Sequence, residues 1–192
     1  MEISSEQELV AVALSLGARE VAPWSDGERA LASAAPSVAP SIAARFREQV
    51  AAGLDPLGDV FCALRSSVER RPQGATYTPL PIVRAMLGWA QGHGQPDRVV
   101  DPGAGSGRFI VNAGRGFPCA RLVAVEMDPL AAMLARAHLA ASGLQARSQV
   151  IVADYRAVKL QPFDGRTLFT GNPPYVRQEL IKDQKPALKA AA

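Results

Sequence analysis

The sequence predicts an α/β fold: a partial, parallel, open sheet preceded by a helical segment. Three observations carry the prediction. Short apolar runs alternate with helical patterns from about residue 98 to residue 170, which is the signature of βαβ units. A glycine-rich run, Gly103-Ala104-Gly105-Ser106-Gly107, lies between one such strand and the helix after it. The first 72 residues carry their apolar side chains at helical spacing and show no strand alternation.

In the N-terminal segment, Ser4 or Ser5 can cap a helix bearing Leu9, Val10, Ala13 and Leu14 on one face. Ser25 with Glu28 three positions on makes a capping-box pattern. Pro36 and Pro40 interrupt. A helix then runs from about Ser41 through Ile42, Phe46 and Val50 and stops at Gly53. Asp55-Pro56 reads as a cap and first turn for a helix carrying Leu57, Val60, Phe61, Leu64 and Val68. Nothing here suggests chemistry, and residues 1–72 are expected to be a helical lid or brace.

Residues 73–177 read as the α/β core. Thr78 as N-cap and Pro79 at the first helical position begin a helix through Ile82, Val83, Met86, Leu87 and Trp89, ended by Gly92 and Gly94. Free N–H groups and hydroxyls at such a helix start suit a carboxylate; a plain capped helix is the alternative. Arg98 to Asp101 is the first strand, and a helix starts near Arg108. Arg121 to Glu126 is the second strand, with Glu126 about 20 residues past the glycines, where an acid can accept bonds from both hydroxyls of a ribose. Pro129 opens a helix through Leu130, Met133, Leu134, Ala137 and His138 that closes at Gly143. Ser148 to Ala153 is the third strand, followed by Asp154-Tyr155; Thr167 to Thr170 is the fourth. Asp101, Glu126, Asp154 and Asn172 thus all fall where strands end, which in an open parallel sheet is the ligand crevice.

The fourth strand delivers Gly171-Asn172-Pro173-Pro174-Tyr175. Pro173 and Pro174 fix φ and remove two backbone donors, so the chain leaves the strand as a stiff loop. Asn172 offers a side-chain carbonyl acceptor, Pro173 a backbone carbonyl and Tyr175 a flat face. By itself the stretch also reads as a turn. Two acceptors beside a stacking surface suit a planar amino group, such as the exocyclic amine of a flipped-out base.

Composition limits the setting. The 192 residues are 48% hydrophobic and 20% charged, which is globular and not disordered. A net charge of +3 permits a polyanionic partner without arguing for one. Cys62 and Cys119 make neither a disulfide framework nor a zinc site. Glu2, Glu6 and Glu8 stand where a signal peptide would be positive, and no apolar run approaches the roughly 20 residues of a membrane helix. A cytoplasmic protein without a metal is expected. Residues 178–192, with Lys182, Lys185 and Lys189, read as a basic tail that is either solvated or against phosphates.

With these motifs in this order, the chain resembles the N6-adenine DNA methyltransferases of restriction-modification type, over about Gln73 to Arg177. The resemblance implies a Rossmann-like core with strand order 3-2-1-4, S-adenosylmethionine as cofactor and a flipped adenine in DNA as substrate. It implies that Glu126 holds the cofactor ribose, that Met127 flanks its adenine, and that Asp154 and Tyr155 form the adenine side. Asp101, Gly103 and Gly105 lie along the methionine part, and Thr76, Tyr77 and Thr78 close over it. Asn172 and the Pro173 carbonyl hold the target amine, Pro174 stiffens the loop and Tyr175 stacks on the base. It also implies a seven-stranded sheet and a target-recognition domain, where this sequence shows four strands. The chain is therefore expected to bind cofactor weakly and methylate poorly alone, with a second polypeptide supplying the rest.

The alternatives are a methyltransferase acting on a protein glutamine or an rRNA base amine, and a non-catalytic cofactor-binding remnant or subunit. Pro118-Cys119 resembles the nucleophile of cytosine-C5 methylation but precedes the second strand, away from the other motifs. His93 and His138 are expected to be structural or solvated.

Overall fold

A computed structural model describes residues 3–65 and 77–172. Its helices are α1 (Glu6–Ser15), α2 (Asp26–Ser33), α3 (Pro40–Ala51), α4 (Pro56–Leu64), α5 (Leu80–Gln91), α6 (Arg108–Gly116) and α7 (Pro129–Ala141). Its strands are β1 (Arg98–Pro102), β2 (Arg121–Glu126), β3 (Ser148–Val152) and β4 (Thr167–Phe169). They form one parallel sheet in the order β3-β2-β1-β4, as the resemblance implied.

Capping chemistry sets most helix starts. The Ser5 hydroxyl accepts from the Glu8 N–H to begin α1. Ser25 and Glu28 close a full capping box on α2, and Asp55 accepts from the Gly58 N–H to begin α4. The start of α5 departs from the reading. Pro79, not Thr78, occupies the cap position, and the helix begins at Leu80. A Thr78 cap would find few donors, because Pro81 has no N–H to give. The Thr78 carbonyl accepts instead from Arg108 Nη1 at 3.1 Å.

Two apolar clusters organise the molecule. One joins a face of the sheet (Val99, Leu122, Ala124, Val150) to Val83 and Leu87 of α5, Ile110 of α6 and Leu139 of α7. The other joins Leu9 and Val12 of α1, Phe46 of α3 and Leu57 and Phe61 of α4 to Leu130, Met133 and Leu134 of α7. Helix α7 therefore lies between the sheet and the N-terminal helices. This explains why Leu130 to Leu139 is buried without a break.

Ion pairs reinforce this attachment. Arg136 of α7 and Glu28 of α2 are both wholly buried and bonded at 2.5 Å and 3.1 Å. Arg136 also donates to the carbonyls of Val21 and Val150. Arg65, after α4, binds Glu6 and Asp128. The described N-terminal helices are thus packed and ion-paired against α7 and its N-cap.

Among the described residues, no helix is long and apolar enough to cross a membrane, and no group of three His, Cys, Asp or Glu could hold a metal ion.

Candidate active site

Parallel register brings the strand ends to one edge. Asp101 pairs with Ala124, Glu126 with Val152, and Val100 with Phe169. The pattern continues one step further, from the Ala153 N–H to the Glu126 carbonyl and from the Thr170 N–H to the Val100 carbonyl, both at 3.0 Å. Asp101, Glu126, Asp154 and Asn172 therefore emerge on the same side of the sheet. Thr76, Pro173, Pro174 and Tyr175 lie outside the described residues.

The glycine-rich loop is pinned to this edge. The N–H groups of Gly103 and Ala104 both reach the Val125 carbonyl, at 2.8 Å and 3.0 Å. At Gly105 the backbone is left-handed, with φ +56°, and an added Cβ would stand 3.4 Å from the Tyr77 hydroxyl. Glycine permits both the turn and the close approach. The Gly105 N–H donates to Glu126 Oε2 at 2.8 Å, and the Asp128 N–H to Oε1 at 2.9 Å. Burial raises the pKa of Glu126, opposed by these backbone bonds. Each of its oxygens keeps a lone pair for a further donor, such as a ribose hydroxyl.

Asp101 is 1% exposed, and neither carboxyl oxygen has a hydrogen-bond partner among the described residues. Burial, then the neighbouring charge of Glu126, pushes its pKa up to about 8. An orphaned acid in this position is costly to the fold. A positively charged group beside it would favour its ionised form. The chain leaving β4 passes against it: an added Cβ on Gly171 would lie 2.5 Å from Asp101 Oδ1. The end of β1 and the segment carrying Asn172 are thus adjacent.

Met127 is half exposed beside Glu126, open to a flat ligand. Asp154 binds the Arg156 guanidinium at 2.6 Å and accepts from the Arg156 N–H at 3.0 Å. This pairing holds its carboxyl below the usual range. Tyr155 begins the short turn that Asp154 caps. Burial raises the Tyr77 phenol far above its ordinary value, so it stays protonated.

One group escaped the sequence reading. Asp55, Ser106, Arg108 and His138 form a buried polar cluster behind the glycine-rich loop. Asp55 was visible only as a helix cap, and nothing in the sequence signals that its second oxygen reaches a loop 51 residues away. Of the competing features, Cys119 is exposed and precedes β2, His138 is buried, and His93 stacks on Trp89.

No family model matches the chain. It is 47% identical, across 94% of its length, to the type II methyltransferase M.XamI of Xanthomonas campestris pv. amaranthicola, of which it covers 34%. It is 38% identical over 51% of its length to the release factor glutamine methyltransferase of Bordetella pertussis, covering 35% of that protein. It is 32% identical over 57% of its length to the type II methyltransferase M.CvrRI of Paramecium bursaria Chlorella virus XZ-6E, covering 26%. The chain spans about a third of the length of these relatives. The chain is thus similar to a type II methyltransferase over nearly its whole length, and it carries a parallel sheet with a glycine-rich loop bonded to Glu126.

Proposed function

We propose that this chain binds S-adenosylmethionine at the described sheet edge and directs methyl transfer to the N6 amine of an adenine flipped out of DNA. The setting would be a cytoplasmic restriction-modification or phage-defence system. The observation that carries the reading is the convergence of Asp101, Glu126, Asp154 and Asn172 on one edge, with the carboxyl of Asp101 buried and without a hydrogen-bond partner among the described residues. The 47% identity to a type II methyltransferase supports it.

The bound cofactor supplies an electrophilic methyl on a sulfonium centre. The residues of the chain do the rest by position and charge. Glu126 would hold the ribose hydroxyls, and Met127, Asp154 and Tyr155 would bind the adenine. Asp101, Gly103, Gly105, Thr76, Tyr77 and Thr78 would hold the charged methionine part. An adenine amine is a poor nucleophile because its lone pair is delocalised into the ring. The Asn172 side-chain carbonyl and the Pro173 carbonyl accept its two hydrogens and draw it toward tetrahedral geometry. The lone pair is then localised on nitrogen. Pro174 keeps the loop stiff and Tyr175 stacks on the base. Such catalysis needs no covalent intermediate.

In this reading residues 1–72 brace the cofactor loop, residues 73–177 carry the chemistry, and residues 178–192 form a basic tail. β4 is an edge strand among the described residues, with Phe169 53% exposed. A further segment, in the same or another polypeptide, would cover this edge and read the DNA sequence. The similarity to a release factor glutamine methyltransferase favours one second reading, a glutamine amide as the planar amine.

Tritium transfer from labelled S-adenosylmethionine to DNA, RNA and protein acceptors separates these. Label on adenine N6 of DNA, lost in Asn172→Ala, is the expected result. Label confined to protein glutamine would overturn the DNA assignment.

A further inference from the structure

Asp55 does more than its sequence position requires. An N-cap needs one acceptor, and Oδ1 supplies it by taking the Gly58 N–H at 2.9 Å. The side chain is nevertheless 1% exposed, and its second oxygen serves the glycine-rich loop. Oδ2 accepts from the Ser106 hydroxyl at 2.6 Å and from Arg108 Nε at 2.9 Å. Arg108 extends the chain of contacts. Its Nη1 donates to the Thr78 carbonyl at 3.1 Å, its Nη2 to Asp59 at 2.9 Å, and its guanidinium carbon lies 5.5 Å from the Tyr77 ring centroid. His138 closes the cluster, with Nδ1 3.3 Å from the Ser106 carbonyl and 3.6 Å from Asp55 Oδ1. Burial lowers its pKa and keeps it neutral.

The packing leaves no slack. An added Cβ on Gly58 would lie 2.2 Å from Asp55 Oδ2 and 2.5 Å from the Ser106 hydroxyl. Burying a carboxylate is expensive unless it is paired and hydrogen-bonded, and beyond its cap both hydrogen bonds of Asp55 go to Ser106 of the glycine-rich loop and Arg108 of the helix that follows it, with His138 of α7 alongside. Through these contacts one carboxylate of α4 fixes Ser106 and Arg108, and through Arg108 the Tyr77–Thr78 segment. That segment is the wall facing Gly105.

We propose that Asp55 is a positioning residue: through Ser106 and Arg108 it holds Tyr77–Thr78 against Gly105, so that the cofactor pocket is formed before its ligand arrives. The proposal rests on the reading of this edge as an S-adenosylmethionine site. A preformed pocket binds more tightly because the ligand need not order it.

Calorimetric titration of the full chain with S-adenosylhomocysteine tests the proposal. Asp55→Asn keeps the cap acceptor and the shape while removing the charge that Arg108 needs. Its expected effect is a loss of affinity of about 10-fold or more, which is about 1.4 kcal/mol. Because Asp55 acts through Arg108, Asp55→Asn combined with Arg108→Gln is expected to bind no more weakly than the poorer single variant. Leu57→Ala, in the same helix but packed in the apolar cluster with Leu9, Phe46 and Met133, lowers the thermal midpoint and is expected to leave affinity within about twofold. If Asp55→Asn does not fold, Ser106→Ala carries the same expectation of weakened binding. Failure of the unsubstituted chain to bind overturns the cofactor reading itself. Binding by that chain, with Asp55→Asn within twofold or with additive losses in the double variant, overturns the role of Asp55 and leaves the cofactor reading intact.

Discussion

Replacing Asp101 with Asn should make the protein more stable and a worse binder. The carboxyl is 1% exposed, neither oxygen has a hydrogen-bond partner among the described residues, and its pKa rises from 3.8 to about 8. The fold therefore favours the neutral acid. Below the unfolded value there is no penalty. As pH rises from 3.8 toward 8, the unfolded chain releases its proton while the folded one resists, and stability falls. At about 1.4 kcal/mol per unit, the full shift would correspond to on the order of 5 kcal/mol at pH 8, an upper bound that relaxation of the site reduces to about 2–4 kcal/mol. Asn has the same shape and cannot ionise, so Asp101→Asn removes that loss. For a domain of this size the thermal midpoint at pH 8 should rise by about 5–15 °C, with the advantage vanishing near pH 4. Thermal unfolding of both proteins from pH 4 to 8 measures it. A difference that does not grow with pH, or a less stable variant at pH 8, would refute the reasoning. The same substitution should weaken S-adenosylhomocysteine binding, a trade of function for stability.

Two further substitutions address the support of the site. Glu28→Ala leaves the buried Arg136 guanidinium without its counter-ion and should cost about 3–5 kcal/mol in urea unfolding; a loss under about 1 kcal/mol would show that the pair is not what joins α2 to α7. At Gly107, φ is +90° and an added Cβ would lie 3.2 Å from Ala135 Cα. Gly107→Ala should therefore destabilise by about 1–3 kcal/mol and loosen the cofactor loop, seen as a lower thermal midpoint and weaker ligand binding.

The parts of the fold legible in the sequence were those governed by local chemistry. Ser5, Ser25 and Asp55 cap the helices as their spacing suggests. The strands were legible because runs such as Arg121 to Glu126 end in a polar residue followed by a turn or helix start, and a parallel sheet then puts those ends on one side. The start of α5 was misplaced by one residue because a Thr-Pro pair outweighed the missing N–H of Pro81. The clamp behind the loop was illegible for a different reason. Asp55, Ser106 and His138 are brought together by the packing of α4 and α7, and each alone reads as a cap, a loop hydroxyl or a core histidine. The same holds for Glu28, whose capping box concealed its bond to Arg136. Local patterns reveal the first partner of a polar side chain; tertiary packing supplies the second.

The affinity of the chain for S-adenosylhomocysteine, set against that of Glu126→Ala, tests the central claim most directly. Glu126 ties the Gly105 and Asp128 N–H groups together at the end of β2. Saturable one-to-one binding, weakened by about 100-fold or more in Glu126→Ala, is the predicted result. No binding by the unsubstituted chain, or equal affinity in the variant, would contradict it.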